Sequence, residues 1–270
     1  MGKLASLAVV GLGNMGEALI KGILDRGLVD PPDVRGADKV RARGEEMARR
    51  YGLTLCDDAR EACRGAQVVL LAVKPQDADA ALAEIAPATA GNPVISVCAG
   101  IPLARLTAAL SPGTPVVRAM PNTPALIGQG TTVYCANARA TAEHRETARA
   151  LLGAVGEVHE VGDEGLLDAV TGLSGSGPAY VFAFLEALAD GGVLAGLPRA
   201  LARSLACQTV VGAALLARDS GEHTAELKDR VASPAGTTIA GLRELEKGGF
   251  RAAVIEAVRA ATARSRELGG

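Results

Sequence analysis

The chain has 270 residues, a formal net charge of −2, 49% hydrophobic and 21% charged residues, so it can bury a large core and shows no basic footprint for nucleic acid. Three Tyr, three Phe and no Trp leave the core to Ala, Leu, Val and Ile and provide no platform for stacking bases. Five Cys without paired short spacings and only three His point to reduced thiols in a cytoplasmic protein and argue against a metal site.

Short apolar runs at Leu4–Val10, Val34–Ala37, Val68–Val73, Val94–Cys98 and Pro115–Ala119 read as strands. Helical patterns fall between them at Met15–Leu24, Asp77–Ile85 and Leu103–Leu110, giving the alternation of right-handed βαβ units. The strands are apolar on both faces, as a parallel sheet covered on both sides requires. Gly130–Ala136 and Glu157–Val161 are expected as two edge strands, with a helix over Glu143–Leu152 between them.

Beyond Val161 only helical patterns follow, at Asp163–Ala169, Ala179–Ala195, Arg199–Arg218, Glu222–Val231, Pro234–Leu245 and Arg251–Leu268. That change sets the expected domains at 1–162 and 163–270. The segments Val181–Leu194 and Leu205–Leu216 are apolar nearly all round, which predicts cover from a second subunit. The charge-free stretch between Arg203 and Arg218 is read as a buried helix too short to span a bilayer, so no membrane partner is expected. Met1–Ser6 formally fits a lipidation pattern, but a strand starting at Leu4 leaves no free arm for a lipid.

Leu4–Val10 runs directly into Gly11-Leu12-Gly13-Asn14-Met15-Gly16 and then a helix, the context in which a GxGxxG pattern carries meaning. Gly11 permits the tight turn, Gly13 lets a pyrophosphate approach the backbone, and Gly16 lets the helix pack on the strand. Asp38 ends the second strand, where an acid can accept hydrogen bonds from the ribose of NAD. Lys39, Arg41 and Arg43 follow at once and could hold the 2′-phosphate of NADP, so these residues leave the choice of dinucleotide open.

Five motifs together resemble pyrroline-5-carboxylate reductases: residues 11–16, Ala-Val-Lys-Pro at 72–75, Arg-Ala-Met-Pro-Asn-Thr-Pro at 118–124, Gly-Leu-Ser-Gly-Ser-Gly-Pro-Ala-Tyr at 172–180, and Glu-Leu-Lys-Asp-Arg-Val-Ala-Ser-Pro-Ala-Gly-Thr-Thr at 226–238. Their order and spacing cover nearly the whole chain, and the last two are the most specific. The resemblance implies an α/β protein: a Rossmann-type doubly wound sheet followed by an all-α domain that interlocks in a homodimer or a larger homo-oligomer. It implies reduction of 1-pyrroline-5-carboxylate to L-proline, the last step of proline biosynthesis, with NADPH or sometimes NADH. By motif, the cofactor would meet Gly11, Leu12, Gly13, Asn14, Met15, Gly16, Ala72, Val73, Lys74, Pro75, Ala99 and Gly100, with Asp38, Lys39 and Arg41 at its adenosine end. Substrate would meet Ser233, Gly236, Thr237 and Thr238, with the Thr238 hydroxyl nearest the imine nitrogen. The chain departs from the family pattern at Ala235, where glycine is usual and a positive φ would be strained, and at Arg230, where asparagine is common.

Ser233-Pro234 reads as a helix start, with Ser as N-cap and Pro at the first helical position. The amides of Ala235, Gly236 and Thr237 would then be free to bind a carboxylate. Reducing a C=N bond needs a hydride donor and a hydrogen bond at nitrogen, and a neutral hydroxyl at Thr238 suits that role. Glu186 and Asp190 are read as a solvated or interface face, and Ser174–Pro178 as a helix break without a nucleophile. Two other readings are kept. One is a β-hydroxyacid dehydrogenase with Lys228 as its catalytic residue; the other is a dinucleotide-sensing protein without catalysis.

Overall fold

The computed structural model describes residues 2–89 and 91–269; Met1 and Gly270, the outer limits of the two expected domains, lie outside them. The chain forms two compact units, one running to Gly175 and including the chain from Ala261, the other Ser176–Ala260.

The first unit is built on an eight-stranded sheet of order β3-β2-β1-β4-β5-β6-β7-β8. Its strands are β1 (Leu7–Val10), β2 (Val34–Ala37), β3 (Thr54–Leu55), β4 (Val68–Leu71), β5 (Val94–Ser96), β6 (Val116–Met120), β7 (Gly130–Ala136) and β8 (Gly156–Glu160). Pairing is parallel from β3 through β6, antiparallel between β6 and β7, and parallel again between β7 and β8. The helices of this unit are α1 (Asn14–Asp25), α2 (Arg41–Tyr51), α3 (Ala59–Cys63), α4 (Ala78–Thr89), α5 (Leu103–Ala109), α6 (Ala142–Leu152) and α7 (Leu166–Val170).

Every residue of β1 is buried, and its alternation sends side chains to two cores. Leu7 and Val9 pack with Ile20, Ile23, Val117 and Leu151 on one face, while Ala8 and Val10 pack with Val69, Leu71, Leu82 and Ile85 on the other. The doubly apolar strands expected from the sequence follow from this two-sided cover.

Three elements had no sequence expectation: α2, α3 and β3. Among the large apolar side chains of α2 only Met47 is fully buried, so no periodic stripe shows, and β3 has only two residues. The composition change at residue 163 falls before the division between the units, because α7 packs on the sheet. Leu167 is buried with Val133 and Cys135, and Asp168 accepts a hydrogen bond from Ser265 at 2.7 Å. The expected break at Ser174–Pro178 takes another form: Thr171–Gly175 is a π turn, and Pro178 sits in the first turn of the next helix.

The second unit holds α8 (Gly177–Leu194), α9 (Arg199–Ser220), α10 (Thr224–Val231), α11 (Thr237–Lys247) and the first part of α12 (Phe250–Gly269). Its buried cluster consists of Ala189, Ala202 and Ala206, where α8 and α9 meet. The expectation of a helix too short to span a bilayer between Arg203 and Arg218 is corrected, since that stretch lies within the longer α9. Among the described residues α9 is the one helix long and apolar enough to cross a membrane, and 11% of its most apolar window is buried within the chain.

Candidate active site

The glycine loop joins β1 to α1 where the strand order reverses between β1 and β4, the place at which a doubly wound sheet opens a crevice. Gly11 has φ +94°, and a Cβ on it would lie 2.6 Å from the Ala72 carbonyl oxygen. Ala72 in turn donates its amide to Val10 at 2.8 Å. Gly16 is buried, and a Cβ there would strike the Gly11 carbonyl. Gly13 is the N-cap of α1, and a Cβ built on it meets nothing within 4 Å. The loop is therefore packed tightly below and open at Gly13, where the first amides of α1 begin.

Gly11, Gly13, Asp38, Lys39, Ala72, Val73 and Lys74 line a crevice of about 520 Å³. The remaining sequence-predicted cofactor residues lie outside its wall. Leu12 is buried beneath the loop, Asn14 opens α1 on the surface, and Met15 packs on the first core. Pro75 starts a 3₁₀ turn. Ala99 is exposed; Gly100 has φ +72°, and a Cβ on it would meet Leu268 at 3.8–3.9 Å. Arg41 stands on α2 with Nη1 2.6 Å from Asp57.

Asp38 is fixed. One carboxylate oxygen accepts the Leu12 amide at 2.7 Å and the other accepts the Val40 amide at 2.8 Å. Arg43, read with Lys39 and Arg41 as a cation that could hold a 2′-phosphate, also lines the crevice and supports the loop. Its Nε donates to the Leu12 carbonyl at 2.8 Å, one terminal nitrogen donates to Glu46 at 2.8 Å, and the other pairs with Glu17. Glu17 also accepts from Arg50 at 2.6 Å and from Tyr51 at 2.8 Å. Burial pushes the Glu17 carboxyl up, but those hydrogen bonds and the charges of Arg43 and Arg50 outweigh it and hold it below the ordinary carboxylate range.

The crevice also carries acids that sequence reasoning missed: Asp57, Asp58, Asp77 and Glu84. Only Asp77 had a local signal, falling two residues after Pro75 at the expected start of a helix.

The substrate residues named from the sequence lie in the second unit, and their local structure corrects the expected helix start. Ser233 and Pro234 do not cap a helix. The Gly236 amide donates to the Ser233 carbonyl at 3.0 Å, closing a turn, and Ala235 occupies its third position at φ +57°. α11 begins at Thr237 with Gly236 as N-cap. The amides that precede its first intrahelical bond, Ala240 to Gly236, are those of Thr237, Thr238 and Ile239. Thr238 is half-buried, and its hydroxyl makes no hydrogen bond among the described residues.

A cavity of about 400 Å³ adjoins this helix start and is lined by Ala235, Gly236, Lys228, Arg243 and Arg251 among others. Lys228 lies 2.9 Å from Asp229. Arg230, off this wall, is paired with Glu222, one contact being 3.0 Å.

The other motif residues hold structure. Arg118 is buried on β6 and pairs with Glu164, which also accepts the Leu103 amide at 2.7 Å. Asn122 accepts the Thr131 amide at 2.8 Å and donates to the Ser174 carbonyl at 3.1 Å. The thiols of Cys98, Cys63 and Cys135 are pushed up by burial, the last two to about 12 and about 11, so they stay protonated and are poor nucleophiles. Among the described residues no cluster of His, Cys, Asp or Glu could hold a metal ion.

A glycine loop between the first strand and first helix, at the switch point of a doubly wound sheet, places the first unit among Rossmann-type nucleotide-binding folds. Residues 6–100 match a family described as NADP oxidoreductase, coenzyme F420-dependent, and residues 164–268 match one described as pyrroline-5-carboxylate reductase dimerisation. The chain is 48% identical to the pyrroline-5-carboxylate reductase of Synechocystis, over 97% of this chain and 98% of that protein. It is 44% identical to the enzyme of that name from Arabidopsis thaliana, over 96% of this chain and 94% of that one. The solved structure of Plasmodium falciparum pyrroline carboxylate reductase with NADP bound superposes with a TM-score of 0.90 at 32% identity, covering both chains completely. The chain belongs to the pyrroline-5-carboxylate reductase family.

Proposed function

We propose that this chain reduces 1-pyrroline-5-carboxylate to L-proline in the cytoplasm, with NADPH and also with NADH. The observation that carries the reading is end-to-end similarity to pyrroline-5-carboxylate reductases, which takes in both the crevice and the Ser233–Thr238 segment.

The crevice residues suit a dinucleotide. Gly13 leaves its face open for the pyrophosphate, Asp38 offers a fixed carboxylate to a ribose hydroxyl, and Lys39, with Arg41 beside it on α2, offers a cation to a 2′-phosphate. Ala72 to Pro75 and the Ala99-Gly100 turn extend the cofactor contacts from β4 and β5. When bound, the reduced nicotinamide supplies the hydride.

In the second unit, the free amides at the start of α11 receive the substrate carboxylate, with Thr237 contributing its backbone. Lys228, Arg243 and Arg251 give the neighbouring cavity a positive balance against Glu246. Gly236 lets substrate approach the turn closely. The imine nitrogen, protonated as the iminium, donates its hydrogen bond to the Thr238 hydroxyl, which orients the electrophilic carbon. No residue has to deliver a proton, because the iminium brings its own. Residues 1–162 thus hold cofactor, and residues 163–270 hold substrate and a second copy of the chain.

Steady-state oxidation of NADPH and NADH, with pyrroline-5-carboxylate set against β-hydroxyacid substrates, tests the proposal. Turnover of the cyclic imine alone is expected. Turnover of hydroxyacids that is abolished by Lys228→Ala would move the chemistry to the β-hydroxyacid dehydrogenase reading, and no turnover of either would leave a dinucleotide sensor.

A further inference from the structure

We propose that Asp77 sets how strongly this protein distinguishes NADPH from NADH, by holding Lys39 in an ion pair that a 2′-phosphate must displace. The inference rests on the reading that the crevice receives the adenosine end of the cofactor.

Lys39 and Asp77 come from opposite sides of the switch point, Lys39 directly after β2 and Asp77 in the 3₁₀ turn after β4. The Lys39 ammonium lies 2.8 and 2.7 Å from the two oxygens of Asp77, and both residues line the crevice. The side chains are 66% and 30% exposed, so the pair is open to an incoming ligand.

Most other charged groups around it already have partners. Asp38 accepts two backbone amides and stays in place as a negative charge. Arg43 lines the crevice too, but its guanidinium is committed to Leu12, Glu46 and Glu17, and Arg41 stands outside the wall in an exposed pair with Asp57. Lys74 shares the crevice but follows β4, whereas the ribose is met at the end of the second strand. Lys39 is therefore the cation placed for a 2′-phosphate, and it is already engaged.

NADH has no 2′-phosphate, so it binds with the Lys39–Asp77 pair intact and its ribose hydroxyl on Asp38. NADPH must draw Lys39 away and place a dianion near Asp77. Exposed ion pairs of this kind are weak, and repulsion between neighbouring anions is screened by solvent, so the combined penalty is about three- to tenfold in affinity at low salt.

Titrating the full-length protein with NADPH and with NADH at low ionic strength tests this without turnover. Asp77→Asn, which keeps the side-chain shape, is expected to raise the NADPH-to-NADH affinity ratio about three- to tenfold. In a Lys39→Met background the same substitution is expected to raise the ratio by only about twofold or less, since the ion pair is gone and the screened repulsion between Asp77 and the phosphate is all that is left. An unchanged ratio in Asp77→Asn, or an equal rise with and without Lys39, overturns the proposal. Gly13→Val separates the two levels: loss of affinity for both dinucleotides upholds the site, and unchanged affinity for both rejects the site and the proposal with it.

Discussion

The two compact units draw on the same small set of aliphatic residues and use them in opposite ways. In the first, a sheet with helices on both faces collects its Leu, Ile and Val into two large buried clusters. In the second, the buried cluster is three alanines, while Leu194 is 91% exposed, Ile255 65%, Phe182 62% and Leu216 58%. Burying one such side chain contributes roughly 1.5–3 kcal/mol, so a second copy laid on α8 and α9 has a large driving force available. The difference teaches that the first unit is a complete core and the second is half of one, finished on association.

The comparison breaks most visibly at the exposed face. Phe182→Asp or Leu216→Asp would bury an unpaired carboxylate against a partner, costing several kcal/mol. Both are expected to lower assembly by about a hundredfold or more and to remove imine turnover, while the first unit keeps its cofactor affinity. Assembly unchanged in both variants would show that this face stays in water.

Thr238→Ala comes next. Losing an oriented hydrogen bond costs about 1–3 kcal/mol, so kcat/KM is expected to fall roughly 10- to 100-fold. Cofactor affinity and oligomeric state should hold. Thr237→Ala should be milder, because its amide rather than its hydroxyl is proposed to meet the substrate carboxylate. The reverse ranking would exchange the two roles.

In the first unit, Arg43→Met removes the donor to Leu12 and to Glu17 and should cost about 1–3 kcal/mol of stability in denaturant unfolding. The same cluster sets an acid limit. Glu17 and Glu160 both have folded pKa values below their unfolded ones, Glu160 because Tyr134, Arg145 and Arg149 outweigh its burial. Their contribution is full above the unfolded value of about 4.3 and is lost as pH falls through the lower folded values. Glu17→Gln should flatten that acid limb; an identical limb would remove Glu17 from it.

The smallest effect is expected at Ala235→Gly. The left-handed conformation costs alanine about 1–2 kcal/mol, and glycine gives back about 0.4–1 kcal/mol in unfolded-state entropy. A gain of roughly 0.5 kcal/mol should remain in an unfolding titration. A clear loss would mean that the alanine methyl packs usefully in the assembled protein.

What the sequence made legible was local or periodic. The glycine loop and β1 are contiguous, and buried parallel strands announce themselves as apolar runs, so the first unit was readable in chain order. α2 was not, because its inward side rests on Met47 and on the ion pairs of Arg43 rather than on a stripe. The Lys39–Asp77 and Arg43–Leu12 contacts escaped for another reason: the sheet order, not the chain, brings those residues together. Ser233-Pro234 misled as a helix cap because a turn through Ala235 comes first and delays the helix to Thr237. The exposed face of the second unit was legible in composition, as helices too apolar for the protein available to cover them.

Sedimentation of the full-length protein at micromolar concentration tests most directly whether the second unit is half of a core. A dimer, or a larger assembly built from dimers, is expected with no dissociation on dilution through the micromolar range. A monomer that still turns over pyrroline-5-carboxylate would contradict it.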